Sequence, residues 1–187
     1  GDTDEIKEWI LTKNKTAKDL DWYLQIEGNK EMNCKIKYSG KEYQVDISED
    51  KKLSSGAGTC LSVTNDKYWL SVSSSCYRTE FEISCDESFQ TNLIYKRTDS
   101  SVLFVSGNTN TGSPSGTTTE MVESECFTKD GECDYLTTLW AAYALVSASK
   151  DSYDVSSFWS YLQAMSGKNE KILAEGMLGY LSGSLVF

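Results

Sequence analysis

The chain has 187 residues and a formal charge of −10, from 18 Lys and Arg against 28 Asp and Glu. That balance argues against a nucleic-acid partner, since phosphate binding needs clustered basic residues and the sequence holds no basic stripe. A hydrophobic share of 39% is enough for a packed core and too high for disorder, in a length that suits one domain or two small layers.

Asp2 to Lys13 reads as a short amphipathic helix, with acids in its first turn and Ile6, Trp9 and Ile10 on one stripe. Asn14 to Lys18 breaks it. At Asp21 the period changes to two, with Trp22, Leu24 and Ile26 alternating with Tyr23, Gln25 and Glu27 as in a half-buried strand. Cys34-Ile36-Tyr38 and Tyr43-Val45-Ile47 alternate on either side of a Ser39-Gly40 turn, the clearest hairpin of the chain. A second hairpin joins Cys60–Thr64 to Tyr68–Val72 through Asn65-Asp66. Phe81-Ile83-Cys85 is a further strand. A third hairpin joins Thr91–Arg97 to Val102–Ser106. Short connections between about eight strands predict antiparallel pairing in a sandwich or rolled sheet.

Gly107 to Thr119 is uncharged, low in complexity and holds the only proline, Pro114. It reads as an exposed loop or linker, a place for O-linked sugars if the chain is secreted. Cys126 to Val146 then changes the character of the chain. Lys129-Asp130-Gly131 is a turn, Asp134 is a good N-cap, and the helix after it is apolar nearly all round, which predicts burial on more than one side. Its longest apolar run, Leu139 to Val146, is far too short to span a membrane. Asp154 opens a second helix with Phe158, Tyr161, Leu162 and Met165 on one face and Gly167 after it. Asn169 opens a third, with Leu173, Met177, Tyr180 and Leu181 on one side. Gly176, Gly179 and Gly183 line another side, as if a neighbouring backbone packed close. The last residues, Leu185, Val186 and Phe187, are apolar for a chain end.

The six cysteines are Cys34, Cys60, Cys76, Cys85, Cys126 and Cys133. None forms a C-x-x-C pair and the chain has no histidine, so three disulfides are expected rather than zinc. Cys126 and Cys133 should pair across their turn, while the other four allow three pairings. Disulfides imply an oxidising, extracellular compartment. Gly1 reads as the start of a processed chain, an excised piece or a fusion scar. Asn14-Lys15-Thr16 matches a glycosylation acceptor.

The lack of histidine excludes Ser-His-Asp and Cys-His catalysis, and no phosphate loop, dinucleotide fingerprint or haem motif occurs. The acids sit in no distinctive context, so no catalytic residue, cofactor or metal site is assigned, although a carboxylate-based hydrolase fits the composition. Five Trp and eleven Tyr are a better lead. Trp9, Trp22, Trp140 and Trp159 sit on periodic apolar faces and read as core. Tyr68 and Trp69 should point to opposite faces of a strand, one of them exposed for stacking on sugars or filling an interface.

Ile6-Lys7-Glu8-Trp9-Ile10-Leu11-Thr12-Lys13 and Thr138-Leu139-Trp140-Ala141-Ala142-Tyr143-Ala144-Leu145 resemble helical repeats of the α/α-toroid superfamily, which includes terpenoid cyclases and protein prenyltransferase β subunits. The similarity covers about a third of the chain. The cyclase D-x-D-D cluster and any Asp/Cys/His zinc set are absent, so the resemblance implies helix-pair packing and no family catalysis.

The sequence thus predicts an α+β protein in four parts. Residues 1–19 form a helix that packs with the C-terminal helices. Residues 20–107 form the antiparallel region, 108–125 a loop, and 126–187 a three-helix layer. The expected role is a secreted, self-assembling filament or cell-surface subunit whose partner is itself, with a carbohydrate- or protein-binding module as the alternative. Gly176, Gly179, Gly183, Leu185, Val186 and Phe187 are the expected assembly contacts, and Asn14 the glycosylation candidate.

Overall fold

The computed structural model describes residues 3–148 and 154–168. In chain order these form α1 (Thr3–Leu11), β1 (Asn14–Thr16), β2 (Leu20–Gly28), β3 (Met32–Tyr38), β4 (Lys41–Ile47), β5 (Leu61–Val63) and β6 (Leu70–Val72). A single 3-10 turn at Ser74–Cys76 follows, then β7 (Glu80–Cys85), β8 (Phe89–Arg97), β9 (Leu103–Gly112), β10 (Thr117–Met121), β11 (Glu125–Lys129), β12 (Glu132–Cys133), α2 (Tyr135–Ala148) and α3 (Ser156–Ser166). The fold is α+β, with antiparallel pairing in its sheets. The described residues hold twelve strands rather than about eight, and two helices after the sheets. The third expected helix, with Gly176, Gly179, Gly183, Leu185, Val186 and Phe187, lies outside the described residues.

The chain divides into two compact units, Asp21–Val122 and a second built from Gly1–Leu20 with Glu123–Phe187. The first holds two sheets, of strand order β10-β7-β3-β4 and β5-β6-β2-β8-β9. Alternation along β2 and β3 sorts their faces: Trp22, Leu24 and Ile26 on β2, and Cys34 and Ile36 on β3, are all but inaccessible, while Lys35 and Lys37 are exposed. Full burial of such a side chain stabilises by about 1.5–3 kcal/mol, so a one-residue slip in register, which would turn the whole row outward, is strongly disfavoured. The Ser39-Gly40 turn, both residues at positive φ, sets the β3–β4 register from Met32↔Ile47 to Tyr38↔Lys41. Trp22 and Tyr95 pack with ring centroids 4.6 Å apart.

The segment expected as a loop over 108–125 is instead the end of β9, a turn around Pro114, and β10. Its pairing with β7 buries Thr118 and Glu120 on the inner face. Thr91 Oγ1 donates to Glu120 Oε1 at 2.6 Å, and Asn110 Nδ2 donates to the same oxygen at 2.9 Å. A polar inner face satisfied in this way takes the place of an apolar one.

In the second unit, β1, β11 and β12 form a small antiparallel sheet. Asn14 lies opposite Phe127 and Thr16 opposite Glu125. Asp130 and Gly131, both at positive φ, turn β11 into β12. Phe127 stacks on Phe158 of α3 at 5.0 Å. The Asp134 carboxylate accepts from the Thr137 N–H at 2.8 Å, capping α2. Thr138, fully buried, accepts the Phe127 N–H at 2.9 Å and donates to the Asp134 carbonyl at 2.7 Å, tying β11 to the first turn of α2.

Candidate interaction surfaces

Each unit presents apolar side chains to solvent. In the helical unit, Leu139, Ala142, Leu145 and Val146 of α2 are buried, but Leu136, Trp140 and Ala144, spaced by one turn, are exposed. The expectation that Trp140 and Trp9 are core is corrected: they are 51% and 62% exposed. Helical period places residues on a common stripe without saying which stripe meets the core. Lys13 Nζ stands 5.5 Å from the Trp9 ring centroid, and Trp140 meets Tyr143 edge-on at 6.3 Å.

The two sheets of the first unit, each with one buried face and joined in the interior by the Thr91–Glu120 hydrogen bond, form a sandwich whose two solvent faces differ. The outer face of the four-stranded sheet is a charge ladder in which Glu42 takes Lys35 at 3.0 Å and Lys37 at 3.4 Å. These two lysines hold the Glu42 carboxyl below its usual range. The outer face of the five-stranded sheet is aromatic. Tyr23 on β2 packs against Trp69 at 5.7 Å. Tyr68 is exposed and Trp69 half-buried. Asp21 pairs with Lys96 at 3.0 Å and accepts from Thr98 Oγ1 at 3.1 Å. Burial raises the Tyr23 hydroxyl pKa, with Lys96 opposing it. Burial, then the charge of Asp21, raises that of Tyr77 further. Tyr23 and Trp69, beside the Asp21–Lys96 pair, thus form a polar-rimmed aromatic surface.

The third surface is the edge. β9 ends its sheet, and Val102, Leu103 and Val105 beside it are 57%, 42% and 59% exposed. Phe104, between them, turns inward onto Tyr95 at 5.4 Å. The sequence hides this feature, because edge or centre is decided by strands distant in the chain.

The six cysteines form Cys34–Cys85, Cys60–Cys76 and Cys126–Cys133. The first joins directly paired residues of β3 and β7, the second anchors the start of β5 to the 3-10 turn, and the third closes the β11–β12 hairpin. Asn14 is half-buried, and its Nδ2, the atom a glycan would take, donates to Glu125 Oε2 at 2.7 Å. The same oxygen accepts from Ser157 Oγ at 3.0 Å, so the amide is engaged inside the helical unit.

A shallow groove of about 740 Å³ is lined by Lys37, Lys41, Glu42, Arg78, Glu80 and Glu82 among others. Among the described residues no group of three or more His, Cys, Asp or Glu side chains is placed to hold a metal ion, and no helix is long and apolar enough to cross a membrane. No protein-family model, curated protein or solved structure matches this chain.

Proposed function

We propose that the chain is an extracellular, disulfide-braced structural subunit that assembles with copies of itself. One observation carries the reading: each of the two units exposes large apolar side chains of its own, Trp9, Leu136 and Trp140 in one, and Val102, Leu103 and Val105 in the other. Exposed apolar patches mark association sites. Two independent contacts per chain let association continue past a pair, which a single two-fold contact does not. The three disulfides fit an oxidising compartment. The toroid resemblance enters as helix-pair packing in the helical unit, with 21–122 as an insertion in its chain, and carries no catalysis. Negative-stain imaging of the oxidised chain tests the reading: ordered oligomers or filaments are expected.

A second reading rests on the Tyr23 and Trp69 surface, whose aromatic rings beside the Asp21–Lys96 pair suit a sugar ring. A chain that images as single particles and retains a glycan on an array is a binding module instead.

A further inference from the structure

The four sheet edges of the sandwich are not alike. β4 carries exposed Lys41, Glu42, Gln44 and Asp46, charges that discourage another strand from pairing there. β5 is only three residues long. β10 is five residues long, and its Glu120 is engaged inward by Thr91 and Asn110. β9 runs for ten residues, and among the described residues it pairs with β8 alone. Asn110, in its second half, reaches across to Glu120 of β10, so this half is tied to the other sheet. The first half, Leu103 to Ser106, carries none of the usual protections of an edge. It has no charge and no proline, and Leu103 and Val105 face water.

Resting on the assembly reading above, we infer that this half-edge docks a second copy of the chain. Val102–Ser106 of one copy pairs antiparallel with the same residues of another, fusing their five-stranded sheets across a two-fold axis. Two observations select a copy over an unrelated strand. The first is register. With the axis at Phe104, Leu103 lies opposite the partner's Val105 and Val105 opposite the partner's Leu103, so exposed apolar residues meet each other on both sides. The second is charge. Two chains of net charge −10 repel, yet from Ser100 to Thr119 there is no charged residue, so close approach here brings no like charges together. Phe104 stays turned onto Tyr95, so pairing needs no repacking of the core.

The test is hydrogen exchange by mass spectrometry on the oxidised full chain at low and high concentration, beside sedimentation of the wild type, Val105→Lys, Val105→Thr and Gln44→Lys. The expected result is protection of the Leu103–Ser106 amides that grows with concentration. Val105→Lys should weaken the pair by about 30-fold or more, as loss of a central interface anchor does. Val105→Thr should weaken it less, and Gln44→Lys, on the charged edge, should leave it unchanged. Val105 is 59% exposed, so the lysine variant should fold normally. If it does not, the wild-type protection pattern and the threonine variant decide the question. A wild type that assembles without protection at Leu103–Ser106 overturns this inference and leaves the assembly reading standing on the helical surface. A wild type that stays monomeric at all concentrations overturns both.

Discussion

Removing the disulfides one pair at a time should reveal their different structural roles. In the loop-entropy description a cross-link stabilises by restricting the unfolded chain, and the effect grows with the loop it closes. Cys34–Cys85 spans 51 residues, Cys60–Cys76 spans 16 and Cys126–Cys133 spans 7, giving about 4, 3 and 2.4 kcal/mol respectively. Cavity costs reinforce the order within the sandwich, because Cys34 and Cys85 are the more deeply buried pair. The paired Cys→Ala variants are to be compared by native-state hydrogen exchange, where about 1.4 kcal/mol corresponds to tenfold in opening. Loss of Cys34–Cys85 should speed the slowest sandwich amides by about a thousandfold, and loss of Cys60–Cys76 by about 150-fold. Loss of Cys126–Cys133 should act on β11, β12 and α2 and leave β3 and β7 as they were, since that bond lies within the other unit. The reverse order of costs, or sandwich amides that respond to Cys126→Ala/Cys133→Ala, would refute the reasoning.

Thr138→Val keeps the shape of the side chain but strips the buried Phe127 N–H of its acceptor, and urea unfolding should show a loss of about 1–3 kcal/mol. Asp134→Ala removes the cap of α2 and should cost about 1 kcal/mol in the same assay. The Thr137 hydrogen bond holds the Asp134 carboxyl below its ordinary pKa, so the cap's charge-dependent contribution is present above the unfolded value and lost as pH falls through the folded one. The wild-type advantage over the alanine variant should therefore shrink in acid. Burial raises the pKa of Tyr77, Tyr95 and Tyr161, so the stability they confer is full below the ordinary tyrosine value and lost as pH climbs toward the folded ones. An alkaline absorbance titration should show a late tyrosinate fraction that appears together with unfolding.

The strands that the sequence makes legible are those with one apolar face. Cys34, Ile36 and Tyr38 alternate with charged or polar neighbours because one side of β3 is buried and the other is wet. β10 escapes detection because its inward residues are Thr118 and Glu120, whose burial is made tolerable by Thr91, 27 and 29 residues away. β1 escapes because Asn14–Thr16 has no pattern of its own, and its partner strand begins at Glu125. Trp9 and Trp140 show the converse. Their periodicity is real, yet they face water, since a stripe identifies a face and tertiary packing decides whether that face is covered. The surfaces proposed for assembly were out of reach for the same reason. Val102, Leu103 and Val105 read like any strand until the sheet order leaves β9 at its edge.

Sedimentation velocity of the oxidised wild-type chain over a wide concentration series tests self-assembly most directly. Self-association through two surfaces should raise the weight-average sedimentation coefficient steadily with concentration, past the value of a pair. One boundary at the value of a 20.9 kDa monomer, unchanged across the series, would contradict the account.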